Sequence, residues 1–212
     1  MKIHTFDQNS TEWENIRKGK ITASIFGDLI TLKTLQPSTS VGAKKTIAKI
    51  LANAVCTVKE ELPYIAAIEN GIICESRARQ LYQKIKRQKV REVGFIEDES
   101  GYAGFSPDGL VDGGMIEIKT QCQKEHFYCK LFGFDEWLKK YKPQILFSMA
   151  ICDDIQFCDC ISYNEDFNEP ENKIIIERYE RNEEEVEKVK IVIDYWINEL
   201  KSICTIAHKN TN

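Results

Sequence analysis

Three charged side chains near the middle of the chain have the types and the spacing of a hydrolytic site. Asp108 follows a proline, and Glu117 and Lys119 come nine and eleven residues after it. Carboxylates are hard oxygen ligands of the kind that Mg²⁺ binds, and a fixed ammonium group can orient or deprotonate water and stabilise charge on a phosphate. The set therefore suits metal-assisted attack of water on a phosphodiester. An isolated Glu-x-Lys is more often a solvated pair on a strand, so the preceding Pro-Asp is what favours a site.

The residues between these groups predict a β-hairpin. Residues 110–119 contain an apolar pair, an Asp-Gly-Gly turn and a run in which polar and apolar residues alternate. On the outgoing strand, Glu117 and Lys119 are expected to point to one face and the neighbouring isoleucines to the other, into the core. Asp108 lies at the opposite end of the hairpin, so closure of the hairpin would bring the three charged groups together.

Length and composition are those of an ordinary globular protein. The 212 residues, 42% of them apolar and 29% charged, are enough to bury a core and predict one domain over residues 1–212. The N-terminal residues contain no apolar targeting segment, and no apolar run approaches the roughly 18 residues that a membrane span needs. We therefore expect an intracellular protein with no membrane partner.

Eight cysteines are scattered along the chain without a C-x-x-C pair. In a protein without an export signal, reduced cysteine behaves as a small apolar side chain, so most of them are predicted to lie in the core. Cys158 and Cys160 would point to the same face of a strand, which leaves a metal site as the alternative there.

The net charge of −4 is unevenly distributed along the sequence. Residues 164–187 carry ten acidic and three basic side chains, so the rest of the chain carries a net charge of +3. This separation is compatible with a local nucleic-acid groove outside the acidic segment. Seven basic residues between 77 and 91 form either a DNA-facing edge or a solvated helix face.

The segment from Arg17 to Ser24 has the features of an anion site. A helix is predicted to begin there, with Thr22 or Ser24 as its N-cap. Backbone N–H groups at a helix start and an arginine fork can together bind a terminal phosphate. The alternative is an ordinary helix cap beside a surface arginine.

Apolar periodicity predicts two helices before the hairpin, over residues 43–58 and 66–88. The second helix places Glu75 beside its buried stripe, where an unpaired carboxylate is costly. A metal ion, a water molecule or the side chain of Arg79, one turn later, would have to compensate this charge.

After the hairpin, the sequence predicts a helix break before Pro143. Proline is tolerated in the first turn of a helix, so a new helix is expected to start at Pro143 and to reach Ile151. This interpretation places Gln144 near a helix start.

The remaining elements predict the fold class. Strands are expected over 90–96, 102–105, 154–162 and 173–180, and a last helix over 183–203 carries an apolar stripe for the core or for a subunit contact. We therefore expect an α/β fold in which a central mixed β-sheet is flanked by helices.

The chain resembles the lambda-exonuclease branch of the PD-(D/E)xK nuclease superfamily, also called the YqaJ-type viral recombinase family. Pro107, Asp108, Glu117 and Lys119 match the superfamily signature. The flanking motifs are similar as well and follow the family's order: Trp13, Arg17 and residues 21–24, then Glu75, residues 106–110, and Gly133 and Phe134 with Tyr141, Gln144, Ser148 and Met149. The resemblance implies a restriction-endonuclease-like core.

The same resemblance implies a Mg²⁺-dependent 5′-to-3′ exonuclease that digests one strand of linear double-stranded DNA, with two ions per site and Mn²⁺ as a substitute. The remaining 3′ single strand would pass to an annealing protein, and the ring-shaped trimers of the family imply a homotrimer. The implied roles are metal binding by Asp108, Glu117 and the Ile118 backbone carbonyl, water positioning by Lys119 and Gln144, assistance from Glu75, and 5′-phosphate binding by Arg17, Ser24 and Ser106.

Other functions remain as alternatives. A PD-(D/E)xK endonuclease would use the same charged residues. An iron–sulfur nuclease related to CRISPR adaptation would need a cysteine pattern that this sequence lacks. A non-catalytic DNA-end-binding module would not need the complete set of Asp108, Glu117 and Lys119.

Overall fold

The structure is a computed structural model that describes residues 1–56 and 66–209. The helices are α1 (Thr11–Arg17), α2 (Ala23–Leu29), α3 (Val41–Val55), α4 (Ala66–Lys86), α5 (Gln123–Phe132), α6 (Asp135–Ile151), α7 (Pro170–Lys173) and α8 (Glu183–Lys209). The strands are β1 (Lys2–His4), β2 (Ile21–Thr22), β3 (Ile30–Thr31), β4 (Gln36–Pro37), β5 (Phe95–Glu97), β6 (Ala103–Phe105), β7 (Gly109–Val111), β8 (Gly114–Thr120), β9 (Phe157–Tyr163) and β10 (Ile174–Glu180).

The strands form two four-stranded mixed sheets. One has the order β1-β5-β6-β2 and the other β10-β9-β8-β7, and β3 and β4 pair separately. Most pairs are antiparallel, but β2 with β6 and β8 with β9 are parallel. Two backbone hydrogen bonds join Leu110 of β7 to Arg91, which lies in the segment before β5. The prediction of an α/β fold with a mixed sheet flanked by helices is confirmed.

The second sheet is covered on both faces, which gives the molecule two apolar clusters. The larger cluster contains buried side chains of α2, α3, α6 and α8 together with Met115, Cys158 and Cys160. The smaller one packs α4 against β8, β9 and β10, and it contains Ile116 and Ile118. Both isoleucines of β8 thus point into the core, as the alternation along the strand predicts.

The central hairpin forms as predicted, with a shorter turn. Strand β7 pairs with β8 so that Val111 opposes Gly114, which leaves Asp112 and Gly113 as a two-residue turn. Gly113 has a φ of +71°, a left-handed conformation that glycine adopts without a steric penalty. The register places the two ends of the hairpin together.

The predicted helix break before Pro143 is wrong. Pro143 lies inside α6, which runs without interruption from Asp135 to Ile151. A proline within a helix costs about 3 kcal/mol, whereas burial of one large apolar side chain contributes roughly 1.5–3 kcal/mol. Trp137 and Phe147, on either side of the proline, are both buried, so packing outweighs the lost hydrogen bond.

The predicted strand over 90–96 is also wrong in its extent. Only Phe95 and Ile96 belong to β5, and Arg91 pairs instead with the hairpin. The segment passes from one sheet to the other, so a single continuous strand cannot form. The predicted helix over 43–58 covers 41–55, and its last residues, 57 and 58, lie outside the described residues.

The C-terminal helix contributes to the core of its own chain. Its predicted apolar stripe, which consists of Val186, Val189, Ile193, Trp196, Ile197 and Leu200, is buried in the larger cluster. The Trp196 indole donates a hydrogen bond to the Leu29 carbonyl (2.7 Å). Of the two alternatives for this stripe, the structure supports the core. No helix in the described part of the chain is long and apolar enough to span a bilayer.

Candidate active site

The hairpin is closed by a hydrogen bond between its two ends. The backbone N–H of Ile118 donates to Asp108 Oδ2 at 2.6 Å. Lys119 Nζ lies 2.5 Å from Glu117 Oε1, and the Glu117 side chain is only 2% exposed. Closure therefore brings Asp108, Glu117 and Lys119 together, as the sequence predicts.

Helix α6 covers these groups from one side. Gln144 Nε2 donates to Glu117 Oε1 at 2.6 Å, so Glu117 accepts from both an amide and an ammonium. One turn earlier, the Tyr141 ring lies 5.2 Å from Lys119 Nζ. The continuous helix thus brings Gln144 to the site from mid-helix rather than from a helix start.

Helix α4 approaches from the other side and carries Glu75. The Glu75 carboxylate accepts a hydrogen bond from Arg79. The negative charges of Asp108 and Glu117 both raise the pKa of Glu75. Glu75 and Lys119 also line one open cleft of about 960 Å³, which continues past Gln121 and Asn164. A substrate therefore has access to the charged groups from this cleft.

Burial of like charges perturbs the three carboxyl groups. Burial raises the pKa of Glu117 to about 7, with Lys119 opposing the shift and Asp108 adding to it. Burial and then the Asp108 charge raise the pKa of Glu75 to about 7, against the effect of Arg79. The pKa of Asp108 is raised by burial as well, against Lys119 and the Ile118 N–H. The positive charges of Lys119 and Arg79 therefore do not fully compensate the three carboxylates.

Lys119 is held in its charged form. Burial alone would lower the pKa of Lys119, but the carboxylates of Glu117 and Asp108 outweigh it and hold the pKa above its usual value. The group is thus a hydrogen-bond donor at neutral pH. A protonated ammonium can orient a water molecule by donating to it, but it cannot accept a proton from that water.

The donor set fits hard divalent cations. The half-buried Asp108 and the buried Glu117 carboxylates are oxygen ligands short of compensating charge, and a bound cation would supply that charge. Among the described residues, no three Asp, Glu, His or Cys side chains form a complete metal cage. Mg²⁺ is suited to such a site, because it commonly binds one or two carboxylates and completes its coordination with water and phosphate.

Cysteines do not contribute to a cluster here. In the described part of the chain the cysteines are free, and Cys158 and Cys160 are both buried in the apolar core. Among the residues that the structure describes, no neighbouring ligands complete the metal site that the spacing of Cys158 and Cys160 left as an alternative.

A second polar cluster, here called the arginine corner, consists of Trp13, Arg17, Ser24 and Ser106. Arg17 Nη1 and Nη2 lie 3.4 Å from the hydroxyl oxygens of Ser106 and Ser24. The guanidinium stacks 4.1 Å above the Trp13 ring. All three residues predicted to bind a 5′-phosphate thus meet in one place.

The Arg17 guanidinium has no carboxylate partner in the described part of the chain, and its pKa is lowered to about 10 by burial alone. It remains charged at neutral pH. A half-buried cation without a counter-ion among the described residues favours the binding of an anion.

Ser106 supports Arg17 through hydrogen bonds that occupy its hydroxyl group completely. The oxygen accepts from Trp13 Nε1 (2.7 Å) and Arg17 Nη1, and the proton is donated to the Gly94 carbonyl (2.8 Å). A hydroxyl has one proton and two lone pairs. Direct donation from Ser106 to a phosphate would therefore require loss of the bond to Gly94.

Of the two residues predicted as the N-cap at this corner, Thr22 holds that position, but its side chain does not cap the helix. The Thr22 hydroxyl lies 3.2 Å from the Ser24 hydroxyl. Thr22 also ends β2, whose parallel pairing with β6 fixes its backbone. Side chains, rather than the start of this seven-residue helix, therefore form the corner.

The sequence interpretation predicted the contact between Arg79 and Glu75, but it missed one contact of each of two aromatic residues and a second contact of this arginine. Trp13 stacks on Arg17, Tyr141 lies beside Lys119, and Arg79 bonds the Asp108 carbonyl as well as Glu75. Spacing along a helix is the only local signal for the first of these, because residues four apart share a face. The other two contacts join segments that are distant in the sequence.

Comparison with known proteins agrees with this geometry. The family model of the YqaJ-like viral recombinase domain matches residues 12–154. The chain belongs to this family. The match spans the arginine corner, the hairpin and α6, so the predicted family is confirmed. Among curated proteins, no sequence matches this member of the family.

Solved structures extend the likeness to nearly the whole chain. The alkaline exonuclease from Laribacter hongkongensis is 26% identical with a TM-score of 0.82, over 95% of this chain and 98% of that one, and its complex with dAMP gives the same values. A phage-related exonuclease from Haemophilus somnus 129PT is 14% identical with a TM-score of 0.69, over 92% and 99% of the two chains, and shows the fold alone. The predicted restriction-endonuclease-like fold is confirmed, and the predicted enzyme class is supported.

The raised pKa of Glu117 predicts a pH-dependent stability in the protein without metal. Its pKa is about 7 in the folded chain and 4.5 in an unperturbed glutamate, so its stabilising contribution is present below pH 4.5 and is lost as the pH rises through 7. Glu117→Gln cannot titrate but keeps an oxygen acceptor. In EDTA, the melting temperature of the wild type should fall relative to this variant between about pH 5 and pH 8, by about 3–5 °C for each unit by which the pKa is raised. A difference that does not change with pH would contradict the assignment.

Proposed function

We propose that this protein is a Mg²⁺-dependent exonuclease that digests one strand of linear double-stranded DNA in the 5′-to-3′ direction and leaves a 3′ single-stranded overhang. The observation that carries the proposal is the adjacency of the charged hairpin end and the arginine corner. Ser106 belongs to the corner and Asp108 to the hairpin end, and one proline joins them. The likeness to the Laribacter alkaline exonuclease supports this reaction class.

The residues at the hairpin end have distinct roles in this proposal. Asp108, Glu117 and the Ile118 carbonyl hold two Mg²⁺ ions, or Mn²⁺ in their place. When bound, the metal supplies polarisation of the phosphodiester and a more acidic attacking water. Lys119 and Gln144, which both contact Glu117, orient that water. Glu75 assists from across the cleft.

The arginine corner selects the DNA end. Because only Pro107 separates Ser106 from Asp108, at most about 7 Å of backbone lies between the two sites. A strand whose 5′-phosphate contacts Arg17 and Ser24 would therefore present the next phosphate to the carboxylates. This geometry favours release of mononucleotides, and the dAMP complex of the Laribacter exonuclease is in keeping with it.

The other candidate functions predict different products. An endonuclease would cut circular DNA, and a non-catalytic end-binding module would leave linear DNA intact. An iron–sulfur nuclease would absorb visible light, and no cluster of cysteine ligands among the described residues supports it. One assay with linear and circular duplexes, with and without Mg²⁺, distinguishes the endonuclease and the end-binding module from the proposed exonuclease.

The hairpin residues are tested with variants that retain the fold. Asp108→Asn keeps an oxygen for the Ile118 N–H but removes the charge, and Lys119→Ala removes the donor to water. We expect each to reduce strand digestion by at least about 100-fold, because both act on charge that develops in the transition state. The matched control is Asp112→Asn, the same substitution at the exposed turn of the same hairpin, which should digest DNA like the wild type.

The measurement is Mg²⁺-dependent digestion of 5′-phosphorylated linear duplex, with each strand labelled separately and the melting temperature of each variant recorded. Activity within tenfold of wild type in Asp108→Asn or Lys119→Ala would refute the site. Ca²⁺ should replace Mg²⁺ poorly, because its looser coordination positions water and phosphate less well.

The arginine corner is tested by Arg17→Ala. Charge-assisted hydrogen bonds contribute roughly 1.5–3 kcal/mol each, so the variant should digest 5′-phosphorylated ends about 10 to 150 times more slowly and 5′-hydroxyl ends almost unchanged. Lys18→Ala, which removes an exposed neighbouring charge, is the control. The ratio of initial rates on the two substrates is measured at one fixed salt concentration. A ratio that Arg17→Ala preserves would show that the corner does not read the phosphate.

Assembly is a separate part of the proposal. The apolar stripe of α8 is buried within its own chain, so the proposed homotrimer rests on the family resemblance alone. The 3′ overhang is the substrate of a single-strand annealing protein, the partner that the same resemblance implies. Light scattering of the purified protein should give about three times the 24.5 kDa mass of the chain. A monomer that still digests long duplexes processively would remove the trimer from the proposal.

A further inference from the structure

Arg79 connects three separate parts of the chain near the candidate active site. Its Nε donates to the Asp108 carbonyl (2.7 Å), Nη1 to Glu92 (2.6 Å) and Nη2 to Glu75 (2.5 Å). The residue is 9% exposed. A lysine has one nitrogen and cannot reproduce this fork, so the position requires the planar guanidinium.

The hydrogen bond from Arg79 fixes Asp108 through its backbone. Arg79 holds the Asp108 carbonyl, while the Ile118 N–H holds the carboxylate. With both ends bonded, the backbone of Asp108 and the direction of its side chain are set together. The next residue, Gly109, packs so closely that an added Cβ would lie 2.1 Å from a methyl carbon of Val90, so the segment cannot easily shift.

The bond to Glu75 fixes the side chain that faces the hairpin from α4. Glutamate has several rotamers, and a single strong partner one turn away selects one of them. The third partner, Glu92, has a side chain that is 68% exposed, and such an ion pair contributes little. The two strong contacts of Arg79 are therefore with Asp108 and Glu75.

We propose that Arg79 is a positioning residue of the metal site, which aligns the Asp108 backbone and the Glu75 carboxylate so that both face the bound cations. The inference rests on the proposed function and extends it to a residue that does not touch the substrate. The simpler alternative is that Arg79 acts only as a counter-charge to the carboxylates. The two roles predict opposite effects on metal affinity when the arginine is removed.

Metal binding without DNA decides between these roles. If Arg79 were a counter-charge, Arg79→Met would remove repulsion and tighten the binding of a cation. If it aligns the ligands, Arg79→Met and Arg79→Lys should both weaken Mn²⁺ and Mg²⁺ binding, by about 10 to 100-fold, as is typical for residues that orient metal ligands. Arg79→Lys keeps the charge and carries the test should the methionine variant not fold.

Tyr82→Phe is the matched control for a purely structural effect. Tyr82 lies three residues further along α4, is fully buried and donates to Asp159 on β9 (2.6 Å). Loss of the Tyr82 hydroxyl weakens the attachment of α4 to the sheet but removes no contact to Glu75 or Asp108. It should lower the melting temperature and leave the metal affinity within about twofold of wild type.

Glu75→Gln shows which contact carries the effect. If Arg79 acts in part through Glu75, Arg79→Lys should weaken metal binding less in the Glu75→Gln background than in the wild type, because the two changes remove a shared interaction. Calorimetric titration of the full chain with Mn²⁺ and Mg²⁺ measures all of these affinities. Metal affinity in both Arg79 variants equal to or tighter than wild type overturns the inference.

This result is separable from the proposed function. A wild type that binds metal but does not digest DNA would refute the exonuclease, while the Arg79 comparison would still stand. A wild type that digests DNA, with Arg79 variants that bind metal normally, would refute only the role of Arg79.

Discussion

The clustering of three carboxylates around one end of a short hairpin is the constraint on which the rest of the structure depends. Glu117 is almost excluded from water and Asp108 is half-buried, and such charges are costly unless hydrogen bonds and opposite charges compensate them. Lys119 provides one cation and the Ile118 N–H provides one hydrogen bond. The raised pKa values of the carboxyl groups show that this compensation is incomplete. In the proposed metal site, a bound cation would relieve this unfavourable charge.

Packing and hydrogen bonds hold the two helices beside the hairpin in the positions that bring their side chains to the carboxylates. Helix α6 must run unbroken past Pro143 to bring Gln144 over Glu117, and the larger apolar cluster stabilises it there. Helix α4 is held to the sheet by Arg79 at the hairpin and by Tyr82 at β9. Asp159, the partner of Tyr82, is fully buried and also accepts two bonds from Arg178. The positions of α4 and α6 on opposite faces of β8, the strand that carries Glu117 and Lys119, are therefore fixed.

The arginine corner depends on the same hairpin through the chain itself. Trp13 and Arg17 share a face of α1, whose first turn is capped by the Ser10 side chain. Ser106 then ties this helix to the start of the hairpin by accepting from both residues. A displacement of the hairpin would thus move the corner with it. This linkage is the physical basis for the proposal that recognition of a DNA end and hydrolysis act as one unit.

The sequence by itself determined the hairpin, the faces of its strands and the identity of the charged residues at its end. Turn chemistry and alternation act over a few residues, so Asp112, Gly113 and the run through Lys119 suffice to predict them. The family resemblance extended this to Gln144, Glu75 and the members of the arginine corner. Helix periodicity likewise predicted the buried stripe of the last helix, although not whether it faced the core or a second subunit.

Only the tertiary structure decided how Pro143 is accommodated, where the strand near Arg91 ends and which partners the buried polar groups find. Local rules predict a break at a proline, but burial of the whole helix outweighs one lost hydrogen bond. Partners such as Arg79 with Asp108, or Tyr82 with Asp159, are 29 and 77 residues apart. No spacing rule connects them, because they meet only when helix and sheet have packed and each buried donor must find an acceptor.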